Sequence, residues 1–407
     1  MKFLFVHQNF PGQYLHIIRH LIARPGNEVA FISEPNKNNI PGVRRLNYQI
    51  TDPRKETSHQ NIRDLNLAIT RAEAVARMGR TLRGLGFTPD IIIGHHGWGE
   101  MLDLVDVFPG VPILGYFEFY YATHGTDVGF DPEFPTAEEQ FPRIRAMNAV
   151  NHLALGLGQH GQSPTTWQRS LYPAWAQERI HLLPEGVPLD TCKPDPGARS
   201  RPLTIGDFTI APTDKLITYV ARNLEPYRGF HVMMRALPDI LRARPDAKVV
   251  MLGGDDVSYG ARIANTTWRE HFQRELAGKY DTTRVLMPGQ VPYAVHVNLL
   301  QRSDAHVYLT YPFVLSWSLR EALACGCPVV GADVAPVREF ITDGKTGLIT
   351  SCLDPGGVAV RVLELLENKR LSNGLRKRAR EFAVANLDMG RYINAYETLI
   401  ARLTARR

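Results

Sequence analysis

Residues 311–330 read YPFVLSWSLREALACGCPVV, and their order decides the fold. An apolar run ending at Tyr308, Leu309 and Thr310 passes into a Pro-Phe-Val-Leu-Ser loop. A helical stretch carrying Glu321 follows, and then the β-branched Pro328-Val329-Val330. Strand, loop, helix and strand in that order make one step of a parallel sheet, whose ligands lie beyond the carboxyl ends of the strands. The first helical turn, with Ser316, Trp317, Ser318 and Leu319, has backbone N–H groups without intrahelical partners, and the helix dipole favours negative charge there. A phosphate is the expected occupant. Glu321, just beyond, offers a carboxylate to vicinal hydroxyls.

Working outward, short β-branched runs alternate with longer helical patterns in two sets. The first set of strands is expected at 2–6, 28–32, 90–94, 112–117, 153–157 and 180–183. The second is expected at 215–220, 247–252, 284–287, 305–309, 328–331 and 347–349. Such alternation implies an α/β protein with two doubly wound parallel sheets. The Pro-rich, charged run KPDPGARSRP at 193–202 marks a linker, so the domains are expected at 1–187 and 205–388. A chain of 407 residues, 44% hydrophobic and 22% charged, is long enough for two cores.

The run EALACGCPV from Glu321 to Val329 resembles the donor-site signature of glycosyltransferase family 4, retaining enzymes of the GT-B fold. That signature usually reads E-G-F-G-x-x-x-x-E-A-x-A-x-G-x-P-V, and here Phe313 stands in place of its first glutamate. The resemblance implies two Rossmann-like domains facing a cleft, with a final helix, 389–407, crossing back onto the first. It assigns nucleotide ribose to Glu321. The other glutamate's role, contact with donor-sugar hydroxyls, passes to no residue at position 313.

Further elements lengthen the resemblance. The loop ARNLEPYRGF at 221–230 resembles G-R-x-x-x-x-K-G, whose cations grip the diphosphate and stabilise the leaving nucleotide. Arg222 matches the first cation, and Arg228 replaces the lysine one residue late. Arginine presents a fork where lysine is a point charge, so the geometry must differ. Two arginines between a strand and a helix favour phosphate binding over a solvated face, and Arg228→Ala is expected to lower activity with little effect on folding. Gly253 lies in LGGDD, which resembles the G-x-G loop beside the base. The segments HLLPEGVP at 181–188 and DGKTGL at 343–348 resemble a hinge-proximal and a late element of the family. In the first loop, HQNFPGQ, Gly12 either admits the donor diphosphate close to the backbone or serves a turn before a helix.

Glu118 follows the strand at 112–117, where many family members carry a histidine near the donor sugar. It either meets a sugar hydroxyl or the acceptor nucleophile, or caps the following loop; the aromatics beside it suit a sugar ring. His95 and His96 are adjacent without a third ligand nearby, which points to pocket lining or local hydrogen bonding over metal. The stretch 61–85, with Arg63, Arg71, Arg77, Arg80 and Arg83, reads first as an amphipathic helix covering the sheet and second as a peripheral contact with anionic lipid.

A formal charge of +6 suits an anionic ligand or membrane surface, while no basic cluster with interleaved aromatics supports nucleic-acid binding. Cys192, Cys325, Cys327 and Cys352 lack metal-ligand spacing and read as buried thiols. The opening MKFLFVHQNF is too short in its apolar part for a signal peptide, so a cytoplasmic location is expected. The resemblance thus implies a retaining hexosyltransferase. A nucleoside diphosphate sugar, UDP- or GDP-linked, is the co-substrate, a glycan or lipid-linked hydroxyl the acceptor, and no metal or further cofactor is needed. A nucleotide-sugar epimerase or hydrolase, or an inert sugar-nucleotide-binding subunit, is the alternative.

Overall fold

A computed structural model describes residues 1–52 and 59–405. The chain divides into two compact units, Met1–Glu185 with Gly390–Arg407, and Gly186–Met389.

The first unit holds a seven-stranded sheet: β1 (Lys2–Val6), β2 (Glu28–Ser33), β3 (Val43–Asn47), β4 (Ile91–His95), β5 (Ile113–Tyr116), β6 (His160–Ser163) and β7 (Ile180–Leu182), in the order β3-β2-β1-β4-β5-β6-β7. All pairings are parallel, with Phe3 opposite both Val29 and Ile91. Central strands such as KFLFV and IIIGH are buried on both faces, as expected of a parallel sheet covered by helices. The helix Arg63–Gly84 supplies one cover, burying Leu67, Ala68, Val75 and Leu82 while Arg77, Arg80 and Arg83 face solvent. The closing helix, Met389–Thr404, joins this unit through Glu397, which pairs with Arg24 (2.6 Å) and His20 (3.1 Å). The last two residues of the stretch 389–407 lie outside the described residues.

The strand expected at 153–157 is a correction, because Ala149–Gly156 is a helix and the strand comes after it. Val150, Ala154 and Leu155 are buried at helical spacing, whereas Leu153 (45%) and Leu157 (47%) stay exposed. The true strand, HGQS, has no large apolar side chain. β3, VRRLN, was equally silent, since it is an edge strand carrying two arginines.

The second unit holds a hairpin and a six-stranded parallel sheet. The hairpin, β8 (Leu203–Ile205) with β9 (Phe208–Ile210), turns at Gly206 (φ +56°) and begins directly after the run at 193–202 expected to be linker. Its Leu203, Ile205 and Phe208 pack on Leu216, Val250 and Leu252. The sheet comprises β10 (Lys215–Asn223), β11 (Ala247–Gly254), β12 (Val285–Gly289), β13 (Ala305–Tyr308), β14 (Val329–Ala332) and β15 (Leu348–Thr350), ordered β12-β11-β10-β13-β14-β15. The strand order reverses beside β10, so the loops after β10 and β13 face each other at the switch point where such sheets take ligands. All four cysteines are buried. Among the described residues, no helix is long and apolar enough to cross a membrane.

Candidate active site

β10 ends in an irregularity of register between Val220 and Asn223, and the bulge turns Arg222 into solvent. Arg228 behaves otherwise. It is 5% exposed, and its Nη1 donates to Thr310 Oγ1 (2.9 Å) and to the Val314 carbonyl (2.9 Å) while the guanidinium lies 4.9 Å from the Tyr259 ring. Arg228 therefore ties the loop after β10 to the loop after β13. The expectation that it can be removed without cost to folding is corrected, because its loss empties a buried position and leaves Thr310 and the Val314 carbonyl without their donor.

Glu225, fully buried, had no role in the sequence reading, yet it organises the site. Its carboxylate accepts from three successive backbone N–H groups, those of Ser258 (3.0 Å), Tyr259 (3.3 Å) and Gly260 (3.0 Å), and Asn223 Nδ2 donates to Ser258 Oγ (2.7 Å). The loop after β11 is thus latched to the loop after β10. Gly253 sits beneath the latch, where a Cβ would come within 2.8 Å of Leu224 Cδ2, so packing accounts for the glycine. Phe313, 7% exposed, fills the centre with its ring 5.2 Å from Tyr227 and 4.9 Å from Tyr259.

The helix Trp317–Ala324 begins at Ser316, but its first amides are largely engaged. Ser316 N–H donates to Tyr308 Oη (2.7 Å), Ser318 N–H to Ser316 Oγ (3.3 Å) and Leu319 N–H to the Ser316 carbonyl (3.3 Å), while Trp317 is exposed. A phosphate reaching this turn has to compete with those bonds. Glu321 accepts from Tyr293 Oη (2.9 Å) and His296 Nε2 (2.9 Å), one bond to each oxygen. A carboxylate has about four lone-pair positions, so two remain for hydroxyls.

On the first unit, the loops after β1, β4 and β5 gather around His95. Its Nδ1 accepts from Gly97 N–H (3.2 Å), which leaves the proton on Nε2, 3.2 Å from Glu118 Oε2. The Glu118 carbonyl accepts from Gln168 Nε2 (2.7 Å), and its side chain remains 37% exposed. His96 is buried against Phe117, ring centroids 4.3 Å apart, so the two histidines point apart. Gly12 has φ +56°, and a Cβ there would meet the His7 ring at 3.0 Å; turn and packing explain it without a ligand.

Beneath this edge Glu100, fully buried, accepts from Tyr48 Oη, and burial pushes its carboxyl up to about 7. Its folded value lies above the ordinary 4.5, so the stability supplied by the neutral acid is present below that value and is lost as pH rises through about 7. Glu100→Gln, a permanent neutral mimic, is expected to leave the melting temperature unchanged at about pH 4 and to raise it at about pH 9. A variant less stable at both values would show the carboxylate to be charged and paired in place.

Two parallel α/β sheets with ligand loops at their carboxyl edges define the GT-B fold, and the solved neighbours agree. Sucrose-phosphate synthase from Thermosynechococcus elongatus superposes with a TM-score of 0.77 at 18% identity, each chain covered in full. Anabaena HepE in complex with UDP-glucose superposes with a TM-score of 0.67 at 15% identity, over 98% of this chain and 100% of that one. Residues 25–192 match the glycosyl transferase family 4 group, and residues 201–382 match glycosyl transferases group 1. The chain is a GT-B glycosyltransferase family 4 member.

Among curated relatives, the GDP-mannose-dependent alpha-(1-6)-phosphatidylinositol monomannoside mannosyltransferase of Mycolicibacterium smegmatis is 26% identical, over 72% of this chain and 74% of that protein. D-inositol 3-phosphate glycosyltransferase 2 of Catenulispora acidiphila is 27% identical over 46% of this chain. That match spans 43% of the relative's own length, which is under half and typical of several others.

Proposed function

We propose that this protein transfers a hexosyl unit from a nucleoside diphosphate sugar, UDP- or GDP-linked, to a hydroxyl of a glycan or lipid-linked acceptor, with retention at the anomeric carbon. The observation that carries the reading is the pairing of loops at the switch point of the second sheet. Arg222 stands exposed at the end of β10, the buried charge of Arg228 lies under the loop after β13, and Glu321 keeps lone pairs open. In that reading Glu321 holds the ribose and Arg222 contacts the diphosphate. The buried guanidinium adds a fixed positive field as negative charge grows on the leaving group, which is electrostatic preorganisation without a metal. The names of the relatives, with GDP-mannose and UDP-glucose among them, support the donor class.

Incubation with a panel of UDP- and GDP-sugars, with and without glycan and lipid extracts and with a chelator in parallel, tests the proposal. Nucleoside diphosphate released only with acceptor, and unchanged by chelation, is the expected result. Release without acceptor, or isomerised sugar, would mark a hydrolase or epimerase. No reaction under any condition, with nucleotide sugar still bound, would mark an inert subunit. Calorimetry adds a residue-level check: Glu321→Ala should weaken the free nucleoside diphosphate and its sugar conjugate alike, since both contain the ribose. Weakening of the conjugate alone would remove Glu321 from the ribose.

A further inference from the structure

We propose that Cys192 and Cys325 form an oxidation site, closed by a hydroperoxide into a reversible disulfide that weakens the hold of Glu321 on a nucleotide ribose; its second half rests on the ribose role given to Glu321 above. The two residues are far apart in the chain but lie in the same unit, and both are free and buried, Cys325 at 3% exposure. Their backbones are held side by side. Arg380 Nη1 donates to the carbonyls of Cys192 (2.8 Å) and Ala324 (2.9 Å), and a Cβ on Gly326 would meet Pro194 Cγ at 3.3 Å. Across this contact the two thiols hydrogen-bond to each other. Cys327, in the same turn, is engaged elsewhere, its Sγ donating to the Leu300 carbonyl (2.8 Å). Among the described residues, no third metal-ligating side chain completes a cluster with the pair.

Cys192 is the nucleophile of the pair. The hydrogen bond from Cys325 first, and the Arg380 guanidinium further out, hold its thiol below the usual range, while that same bond and burial push Cys325 up. The Tyr293 hydroxyl, 3.2 Å from Cys192 Sγ, belongs to a residue 48% exposed, so rotation of one surface side chain admits a small oxidant. The Cys192 thiolate attacks the peroxide, the O–O bond breaks, and the departing hydroxide or alkoxide takes up the proton that Cys192 released. The Cys325 sulfur then attacks the resulting sulfenic acid, and its proton leaves with the hydroxyl as water; two thiols are oxidised and one peroxide is reduced. Both sulfurs bear on Glu321. Tyr293 Oη donates to Glu321 Oε1 (2.9 Å), and Cys325 N–H donates to the Glu321 carbonyl (2.8 Å) at the end of the helix Trp317–Ala324. Closing the sulfurs to the roughly 2 Å of a disulfide draws Cys192 off the tyrosine and pulls on that helix end, which displaces the carboxylate.

Peptide mapping by mass spectrometry and calorimetry with UDP and GDP, on the full chain before and after hydrogen peroxide, test this. The expected result is a Cys192–Cys325 linkage, nucleoside diphosphate binding weakened about fivefold or more, as for one lost hydrogen bond, and recovery in dithiothreitol. Cys192→Ser and Cys325→Ala should each bind nucleotide as the reduced protein does and keep that affinity after peroxide. Both thiols still open to alkylation after the treatment, or a different pairing such as Cys325 with Cys327, would overturn the proposal. So would a Cys192–Cys325 linkage with affinity unchanged, or a loss of affinity that persists in a folded cysteine variant. Failure of the reduced protein to bind either nucleotide would instead strike the nucleotide-sugar reading, while the peptide map still decides the thiol pair.

Discussion

Replacing Glu225 by alanine is expected to cost about 3–5 kcal/mol of stability, the effect of removing one partner from a buried charged network. Three backbone N–H groups, from Ser258 to Gly260, lose their acceptor at once, and the buried Arg228 loses a carboxylate whose field favours its charge. Glu225→Gln should recover only part, because its amide nitrogen faces donors where the carboxylate presented a second oxygen. Chemical denaturation measures both losses. A change below about 1 kcal/mol for Glu225→Ala would show that the loop after β11 holds itself. The latch also predicts a functional consequence, since Tyr259 rides on this loop and covers the Arg228 guanidinium. Donor affinity should fall further than the stability loss alone explains at temperatures where the variant is folded.

The second large effect is expected at Phe313, where Phe313→Ala should cost about 3 kcal/mol through the cavity left between Tyr227 and Tyr259. Residual activity, measured where the variant is still folded, should remain substantial, because this side chain has no hydrogen-bonding group to offer a sugar. Glu118→Ala should do the reverse, keeping near-native stability at an open position and lowering turnover by roughly tenfold or more. Melting temperatures and initial rates of the two variants decide the matter. A stable, inactive Phe313→Ala beside an active Glu118→Ala would mean that the loop after β13 governs sugar recognition after all.

The substitution of Phe313 for the signature glutamate acquires a physical sense from these neighbours. A glutamate at this position would need its charge solvated or paired, and the structure sets it between the rings of Tyr227 and Tyr259. The aromatic filling and the latched loop after β11 belong together, and changing one without the other leaves either a cavity or a buried charge.

The sequence by itself determined the fold class, the two sets of strands and the loops where ligands belong. Apolar runs of four to six residues, punctuated by glycine and proline and alternating with longer helical patterns, are what a parallel sheet covered by helices requires, and central strands such as KFLFV and IIIGH are buried on both faces. It misplaced the strand before β7, because Leu153 to Leu157 imitate a buried strand while HGQS carries no apolar signal. What each candidate side chain does was decided only by the tertiary structure. Arg222 and Arg228 look alike in the chain, yet one faces solvent and the other is buried through partners 82 and 86 residues away. Glu225 reads as an ordinary loop glutamate until three amides 33 to 35 residues on converge upon it. The proton of His95 is placed by a neighbour two residues away, but its target, Glu118, is 23 residues distant. Periodicity reports which face of an element is buried, whereas hydrogen bonds between separate loops depend on how the strand ends are brought together.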